Sequence, residues 1–509
     1  MKKQFLYAAM MVAMMASCSS ENDLTDGAQP QAPIENPSEF AEEANYQIKL
    51  GVVAPSASAK VAATRGTGMV GGLSASKWNG QKVNVVMYEC AINTNKTAYE
   101  PTNNFAKELI NGTETELMQN VEFVTPLKSA DQATMAGLRA RYIVPAQGAD
   151  PAYEWVKYYP LQGVFAFYGY YLDDITNYTK PVDGQDKVVT AIQIDGANDV
   201  MAAQTIPFAA AKPANATEDL SFRYTELDGF DATADWATIS KRAFSAWTAR
   251  RGVQPILNFK HLLSQFTFEV IAGQKESVSN VVSGDSQLYD YEGGTATTVT
   301  NMNTGVTIAD VYVKDILDKF DLKLDAATPS AQITNAAKSG DGNELHLTTL
   351  PIGSTELAPG TTLVPLTTAG LTPIIPTMWT GDTDPKYTKV GESLMLLPGQ
   401  NAVTFYVKVT QNVPYKRAET ASPDGSYPVL AYVKKEAILP VTINFTDITG
   451  RDAATLGTSD VFMSGESYKI QMAVYGFQEI KIHAVLQDWK DAGSTSVTPE
   501  DDWFDENEQ

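Results

Sequence analysis

Cysteine and histidine are scarce in this sequence of 509 residues. The only cysteines are Cys18 and Cys90, so a disulfide framework does not hold the fold together. The three histidines, His261, His346 and His483, lie in separate apolar or alternating segments, and no HExxH, Walker or nucleophile-elbow motif is present. A Ser-His-Asp triad stays open because its members need only meet in space. These absences favour a protein that is not an enzyme and has no cofactor.

Positive charge is also in short supply, and this bears on possible partners. The chain has 38 Lys and Arg against 60 Asp and Glu, a net charge of −22, and no basic stripe. Such a surface repels a phosphate backbone, which excludes nucleic acid as a partner. The acidic stretches 380–386 and 499–508 could attract calcium, but neither follows EF-hand spacing. We therefore expect solvated acidic loops and no metal site.

Long apolar runs are missing apart from one near the N-terminus. Residues 5–16 are apolar and follow Lys2 and Lys3, which is typical of a secretory signal too short to span a membrane stably. "MASC", ending at Cys18, resembles the lipobox of bacterial lipoproteins, in which the cysteine is acylated, for example with palmitate. The alternative is an ordinary signal peptide with a chance cysteine. We expect residues 1–17 to be removed and lipid on Cys18 to anchor the chain.

The segment after Cys18 has three parts. Residues 19–44 hold seven acidic residues, three prolines and no Lys or Arg, which predicts a tether without a core. Residues 46–53 predict a half-buried strand because apolar side chains recur at period two. Those side chains are Tyr46, Ile48, Leu50 and Val52. Arg65, the first arginine of the chain, follows in the small-residue loop "KVAATRGTGMV".

The rest of the sequence is patterned mainly as short strands. Period-two alternation recurs in 82–89, 164–171, 265–271, 402–410, 429–445 and 468–489. The best helical stripe is in "ADWATISKRAFSAW", ending at Trp247. We predict an all-β protein with few short helices, built from β-sandwiches. A hinge is expected at 248–255 and a long surface excursion at 355–391, where binding could occur.

Three stretches together resemble the fimbrillin family, the pilins of type V fimbriae. They are "FKHLLSQFTFEV" (259–270), "LMLLPGQNAVTFYVKV" (394–409), in which Gly399 interrupts the family's Pro-Gln pair, and "GESYKIQMAVYGFQEIKIHAVLQDW" (465–489). The resemblance implies two transthyretin-like β-sandwich domains in tandem. On this basis we expect domains at 66–250 and 251–490, a propeptide at 18–65 and an acidic tail at 491–509.

The resemblance also implies a maturation pathway. Family precursors reach the outer membrane as lipoproteins, and an arginine-specific protease then removes the lipid together with the first strand. The matching bond here joins Arg65 to Gly66, in an accessible loop. Loss of the strand would open an apolar groove that a strand of another subunit fills. The alternatives are that Arg65 is an ordinary exposed arginine or that Lys60 is the cut site.

Three functions stay open at this stage. The first is a structural subunit of a surface fimbrium, with other subunits as partners and adhesion and biofilm formation as the outcome. The second is a fimbrial tip adhesin for a host or bacterial surface ligand, which accepts a strand and donates none. The third is a glycan-binding surface lipoprotein of a nutrient-uptake system, with Trp379 or Tyr387 as a sugar platform.

Overall fold

The computed structural model gives the architecture of the chain in separate ranges. It describes residues 47–48, 50–53, 81–92, 94, 99–110, 113–117, 121–125, 138–144, 153–154, 157–160, 163–206, 244–249, 255–273, 277, 280–354, 362–378, 387–420, 422–423, 428–448, 460–477 and 479–487. No helix within these ranges is long and apolar enough to cross a membrane.

Most of the described residues form β-strands and very few are helical, which confirms the all-β prediction. The strands of the first half are β1 (Leu50–Val53), β2 (Gln81–Ile92), β3 (Tyr99–Phe105), β4 (Lys107–Ile110), β5 (Thr113–Glu116), β6 (Val121–Thr125), β7 (Leu138–Val144), β8 (Tyr153–Glu154), β9 (Phe165–Tyr171), β10 (Val188–Gln193), β11 (Met201–Ile206), β12 (Ile256–Asn258) and β13 (Lys260–His261). One short helix, α1 (Ala246–Ala249), precedes β12.

The second half continues in the same way. Its strands are β14 (Ser264–Ala272), β15 (Val281–Tyr289), β16 (Ala296–Asn303), β17 (Thr307–Lys314), β18 (Lys319–Lys323), β19 (Ile333–Ala337), β20 (Glu344–His346), β21 (Thr348–Thr349), β22 (Val364–Pro365), β23 (Thr377–Met378), β24 (Thr388–Leu396), β25 (Ala402–Arg417), β26 (Val429–Asn444), β27 (Ser467–Tyr475) and β28 (Glu479–Gln487). A short helix, α2 (Pro329–Gln332), and a 3-10 turn, Phe445–Asp447, interrupt them.

The largest sheet closes on itself. Its pairings run β1–β12–β11–β9–β2–β6–β7 and return from β7 to β1, a ring we call the closed sheet. Alternation along β2 gives the ring two faces, because successive side chains of a strand point to opposite sides. Val83, Val85 and Met87 belong to the core inside the ring, and Val86 and Tyr88 to a second core outside it.

The second half is a sandwich of two sheets around the second core. One sheet has the order β23–β14–β27–β28, with β24 also paired to β14, and the other has the order β16–β15–β26–β25–β17–β20. Phe266 and Phe268 from the first sheet meet Phe405 from the second, with ring centroids 5.3 and 5.0 Å apart. Burial of large aromatic side chains between two sheets is the main stabilising contribution of such a layer.

The two halves are joined by strand pairing and by a tight turn. Strand β18 of the second half pairs with β10 of the first. Strands β12 and β13 follow the predicted domain boundary at residue 250 but pair with β11, so they belong to the sheet of the first half. At the joint Gly196 has φ of +93° and accepts a 2.7 Å hydrogen bond from the Met395 N–H. A Cβ there would lie 2.7 Å from Leu394 Cδ1, so both backbone and packing require glycine.

Two local predictions need correction or restriction. The helical stripe ending at Trp247 was expected to be a helix over its length; in the described part, only Ala246–Ala249 is helical, and Phe244 instead forms a β-bridge with Phe165. The surface excursion ends earlier than 391, since β24 begins at Thr388. The division into two transthyretin-like domains at 250 stays a prediction.

Candidate functional site

Strand β1 occupies the closing position of the closed sheet. It runs parallel to β12, with Gly51 opposite Ile256, and antiparallel to β7, with Leu50 opposite Ala140. Just before it, the Ile48 N–H donates a 2.8 Å hydrogen bond to the Lys157 carbonyl. A strand paired on both sides is an interior strand of a sheet, so its departure would create two open edges.

The side chains preceding and within β1 are sealed into the core of the ring. Ile48 is 7% exposed and Leu50 is fully buried, and both belong to the cluster formed by β2, β9 and β11. Tyr159 lies in the same cluster, fully buried at its hydroxyl, and burial raises its pKa well above the ordinary value. The alternation predicted for residues 46–53 therefore agrees with the positions of Ile48 and Leu50.

The other predicted site residues fall largely outside the described ranges. Cys18, Tyr46, Arg65 and Gly66 lie outside them, and Val52 is described only as part of β1. Lipidation, cleavage and removal of the strand therefore stay predictions. The predicted cut lies in the sequence between the end of β1 at Val53 and the start of β2 at Gln81.

The three stretches that resemble fimbrillins meet in one aromatic cluster. Phe266 from the first stretch stacks on Tyr468 from the third, with centroids 5.3 Å apart, and Phe405 from the second completes the contact. The Met463 N–H donates a 2.9 Å hydrogen bond to the Tyr468 hydroxyl, which is buried. Phe259, which opens the first stretch, is instead in the ring core. These residues thus hold the sandwich together and tie it to the closed sheet.

The histidines that the structure describes in full do not form a hydrolytic site. His261 is 1% exposed, and its Nδ1 lies 3.0 Å from Asp199 Oδ2 at the joint of the two halves. His346 contacts a carboxylate with each ring nitrogen, Asp310 at 2.9 Å and Glu344 at 3.2 Å. A general base needs an accessible nitrogen facing a nucleophile. His261 is inaccessible, and both nitrogens of His346 are occupied.

The geometry of the described residues gives little support to a metal site or to a sugar platform at Tyr387. Among the described residues, no group of three or more His, Cys, Asp or Glu side chains could hold a metal ion. Tyr387 is half-buried, and burial, with a contribution from Glu269, raises its pKa. Trp379 lies outside the described ranges. A ring packed in this way presents less of its face to a ligand than an exposed one.

Comparison with known proteins gives distant structural similarities. No protein-family model matches the chain, and no curated protein matches its sequence at a significant level. A protein from Bacteroides uniformis assigned to cell adhesion has 9% identity and a TM-score of 0.34, covering 87% of this chain and 98% of its own. The fimbrial anchor protein Mfa2 of Porphyromonas gingivalis has 7% identity and a TM-score of 0.27, covering 87% and 99%. The tip fimbrial protein Mfa3 of the same organism has 10% identity and a TM-score of 0.26, covering 87% and 100%.

Proposed function

We propose that this chain is a structural subunit of a bacterial surface fimbrium. It is exported as a lipoprotein anchored through Cys18 in the outer membrane, is cleaved after Arg65, and polymerises when a strand of another subunit replaces β1. Adhesion and biofilm formation follow from the assembled fibre. The proposal rests on the fimbrillin-like stretches of the sequence and on the position of β1, not on the distant structural neighbours.

The observation that carries the proposal is the combination of burial and chain position at β1. The strand lies between β7 and β12, with Leu50 fully buried, yet it precedes the predicted cut at Arg65. An intact chain keeps β1 at a high effective concentration beside its own groove, so an equivalent strand from elsewhere cannot compete. Cleavage of the connecting segment removes that advantage.

The vacated position would accept a new strand with a defined chemistry. Its edges, β7 and β12, offer main-chain hydrogen bonds on both sides, and its floor offers the apolar pocket that Ile48 and Leu50 fill. Strand addition uses the first for affinity and the second for register. Because the groove and the donor strand are different surfaces, the contact is heterologous and extends into a filament unless it closes.

Cleavage of the purified precursor by an arginine-specific protease tests the proposal. We expect a new N-terminus at Gly66 and SDS-resistant ladders from the wild-type chain, and neither from Arg65→Ala. Lys60→Ala serves as the matched control, since it changes a basic residue five positions before Arg65 in the sequence and should be cleaved and polymerise normally. An Arg65→Ala variant that forms ladders as readily as wild type, or a mature N-terminus other than Gly66, would contradict the proposal.

A further inference from the structure

An open cleft lies on the outer face of the six-stranded sheet. Its volume is about 520 Å³. The strands β17, β25 and β26 form its floor and one side, and the turns at 349–354 and 366–374 form the opposite side. The cleft is remote in sequence from β1, and nothing in the proposed function depends on it.

Three charged side chains sit together at the strand side of this cleft. Lys408 Nζ lies 3.0 Å from one carboxylate oxygen of Glu436, and Lys434 Nζ lies 3.1 Å from the other. They share a face because alternate side chains of a strand point to opposite sides. Val407 and Val409, which flank Lys408 on β25, lie in the core, and Ala437, which follows Glu436 on β26, packs against the core. Hydrogen bonds from Lys408 and Lys434 hold the pKa of Glu436 below its usual value, so the group carries one net positive charge.

The remaining lining combines hydroxyl groups with a small apolar lip. Thr307, Thr349, Ser354, Thr368, Thr372 and Thr410 all contribute to the walls. Ile352 is 64% exposed, and its Cδ1 would lie 3.2 Å from a Cβ at Gly370, which brings the two turns into contact. Lysine ammonium groups and hydroxyls are donors that suit a carboxylate and several hydroxyls on one ligand.

We propose that this cleft binds an acidic sugar, with the sugar carboxylate held by Lys408 and Lys434 and the ring hydroxyls bonded to the threonine side chains. The positive charge of this group points to an anionic ligand, because the chain as a whole has a net charge of −22 and its overall field repels anions. An anion therefore binds only where a local cluster of positive charge attracts it. The volume suits one or two sugar rings.

An extended peptide fits this cleft less well than a sugar does. Strand addition needs open main-chain donors and acceptors along an edge. At this edge the Ile308 N–H already donates to the Ile374 carbonyl at 2.9 Å, and the Leu347 N–H donates to the Val311 carbonyl at 2.8 Å. The edge of β17 is therefore satisfied in part by the chain itself, which leaves side-chain chemistry to recognise a ligand.

Titration of the full chain with sodium glucuronate and with glucose tests the proposal, monitored by ligand-observed NMR and calorimetry. The two sugars differ by a carboxylate, so we expect measurable binding of glucuronate and at least about fivefold weaker binding of glucose. Lys434→Gln should weaken glucuronate binding by about fivefold. Lys435→Gln is the matched control, because Lys435 is adjacent on β26 but pairs with Glu292, and it should bind as wild type.

The variant Glu436→Gln separates an effect on ligand binding from a folding defect. Removing this carboxylate raises the local charge and should strengthen glucuronate binding by about fivefold, a gain that misfolding cannot produce. Equal affinity for glucuronate and glucose, or no binding of glucuronate at tens of millimolar, would overturn the proposal. Binding of a tetraglutamate peptide without binding of glucuronate would also overturn it, in favour of an acidic peptide ligand.

Discussion

Replacing Leu50 by alanine should destabilise the first half of the molecule substantially. The side chain is fully buried in the ring core, and deletion of such a leucine lowers the free energy of unfolding by about 2–5 kcal/mol. Leu430→Ala is the matched control: it makes the same chemical change on β26 at a side chain that is 59% exposed, and should shift stability by about 0.5 kcal/mol or less. Urea unfolding followed by circular dichroism measures both.

Loss of the whole strand should be more severe than this single substitution. Burial of Ile48 and Leu50 together contributes roughly 3–6 kcal/mol, and each main-chain hydrogen bond to β7 or β12 adds about 1 kcal/mol. A folded domain has a total stability of about 5–15 kcal/mol. The chain without β1 should therefore need a replacement strand. If Leu50→Ala unfolds at the same urea concentration as Leu430→Ala, the burial of the Leu50 side chain in the ring core is refuted.

The other predictions concern the joint, the partly buried thiol of Cys90 and the C-terminal tail. Gly196→Ala should lower the free energy of unfolding by about 2–4 kcal/mol, because the new Cβ would clash with Leu394 and the backbone φ is +93°. Thermal unfolding measures this loss. Cys90 should resist iodoacetamide at pH 9, since burial raises the pKa of its thiol to about 12 and leaves about one thiolate in a thousand. Truncation after Lys490 should leave the proposed polymerisation of the chain cut at Arg65 intact, because the acidic tail 491–509 has few large apolar side chains to fill a groove.

Each of these predictions has a control. Gly340→Ala introduces a Cβ into open space, and equal stabilities of the two glycine variants would contradict the packing argument at Gly196. Alkylation is measured by mass spectrometry on a Cys18→Ser chain, with guanidinium-unfolded protein as the reactive reference. Rapid labelling of the folded chain would show that the thiol at 90 is accessible. Loss of ladders on truncation would identify the tail as a donor and exclude the tip adhesin.

The sequence predicts the strands best where one face is buried. Period-two alternation predicts β14, β25 and β27 because their large apolar side chains face a core and most of the polar side chains between them are more exposed. Strand β9 is buried on both faces, and its continuous run of apolar and aromatic residues predicts it instead. The hairpin of β15 and β16 was missed, since it is exposed along most of its length and carries no alternating apolar signal. Burial, not strand formation as such, makes the pattern readable.

Pairing between distant segments could not be predicted from the pattern. Alternation at Ile48 and Leu50 indicates a strand, but nothing local specifies that β12 and β7 are its neighbours. The sequence predicts the position of the charged group in the cleft only in part. Lys408 alternates with Val407 and Val409, which indicates that its side chain points away from the core. The turns at 349–354 and 366–374 that complete the cleft are irregular, and their position depends on contacts across the sheet.

The pairing of β1 with β12 also sets an order of events during folding. Gly51 lies opposite Ile256, so more than two hundred residues must be synthesised between the two strands before the ring can close. Contacts so distant along the chain form late, because their loop-closure entropy must be overcome first. Until then the nascent first half has unpaired strand edges and is exposed to aggregation. A chaperone that shields strand edges is therefore expected to matter most for this half, in the interval before the ring closes.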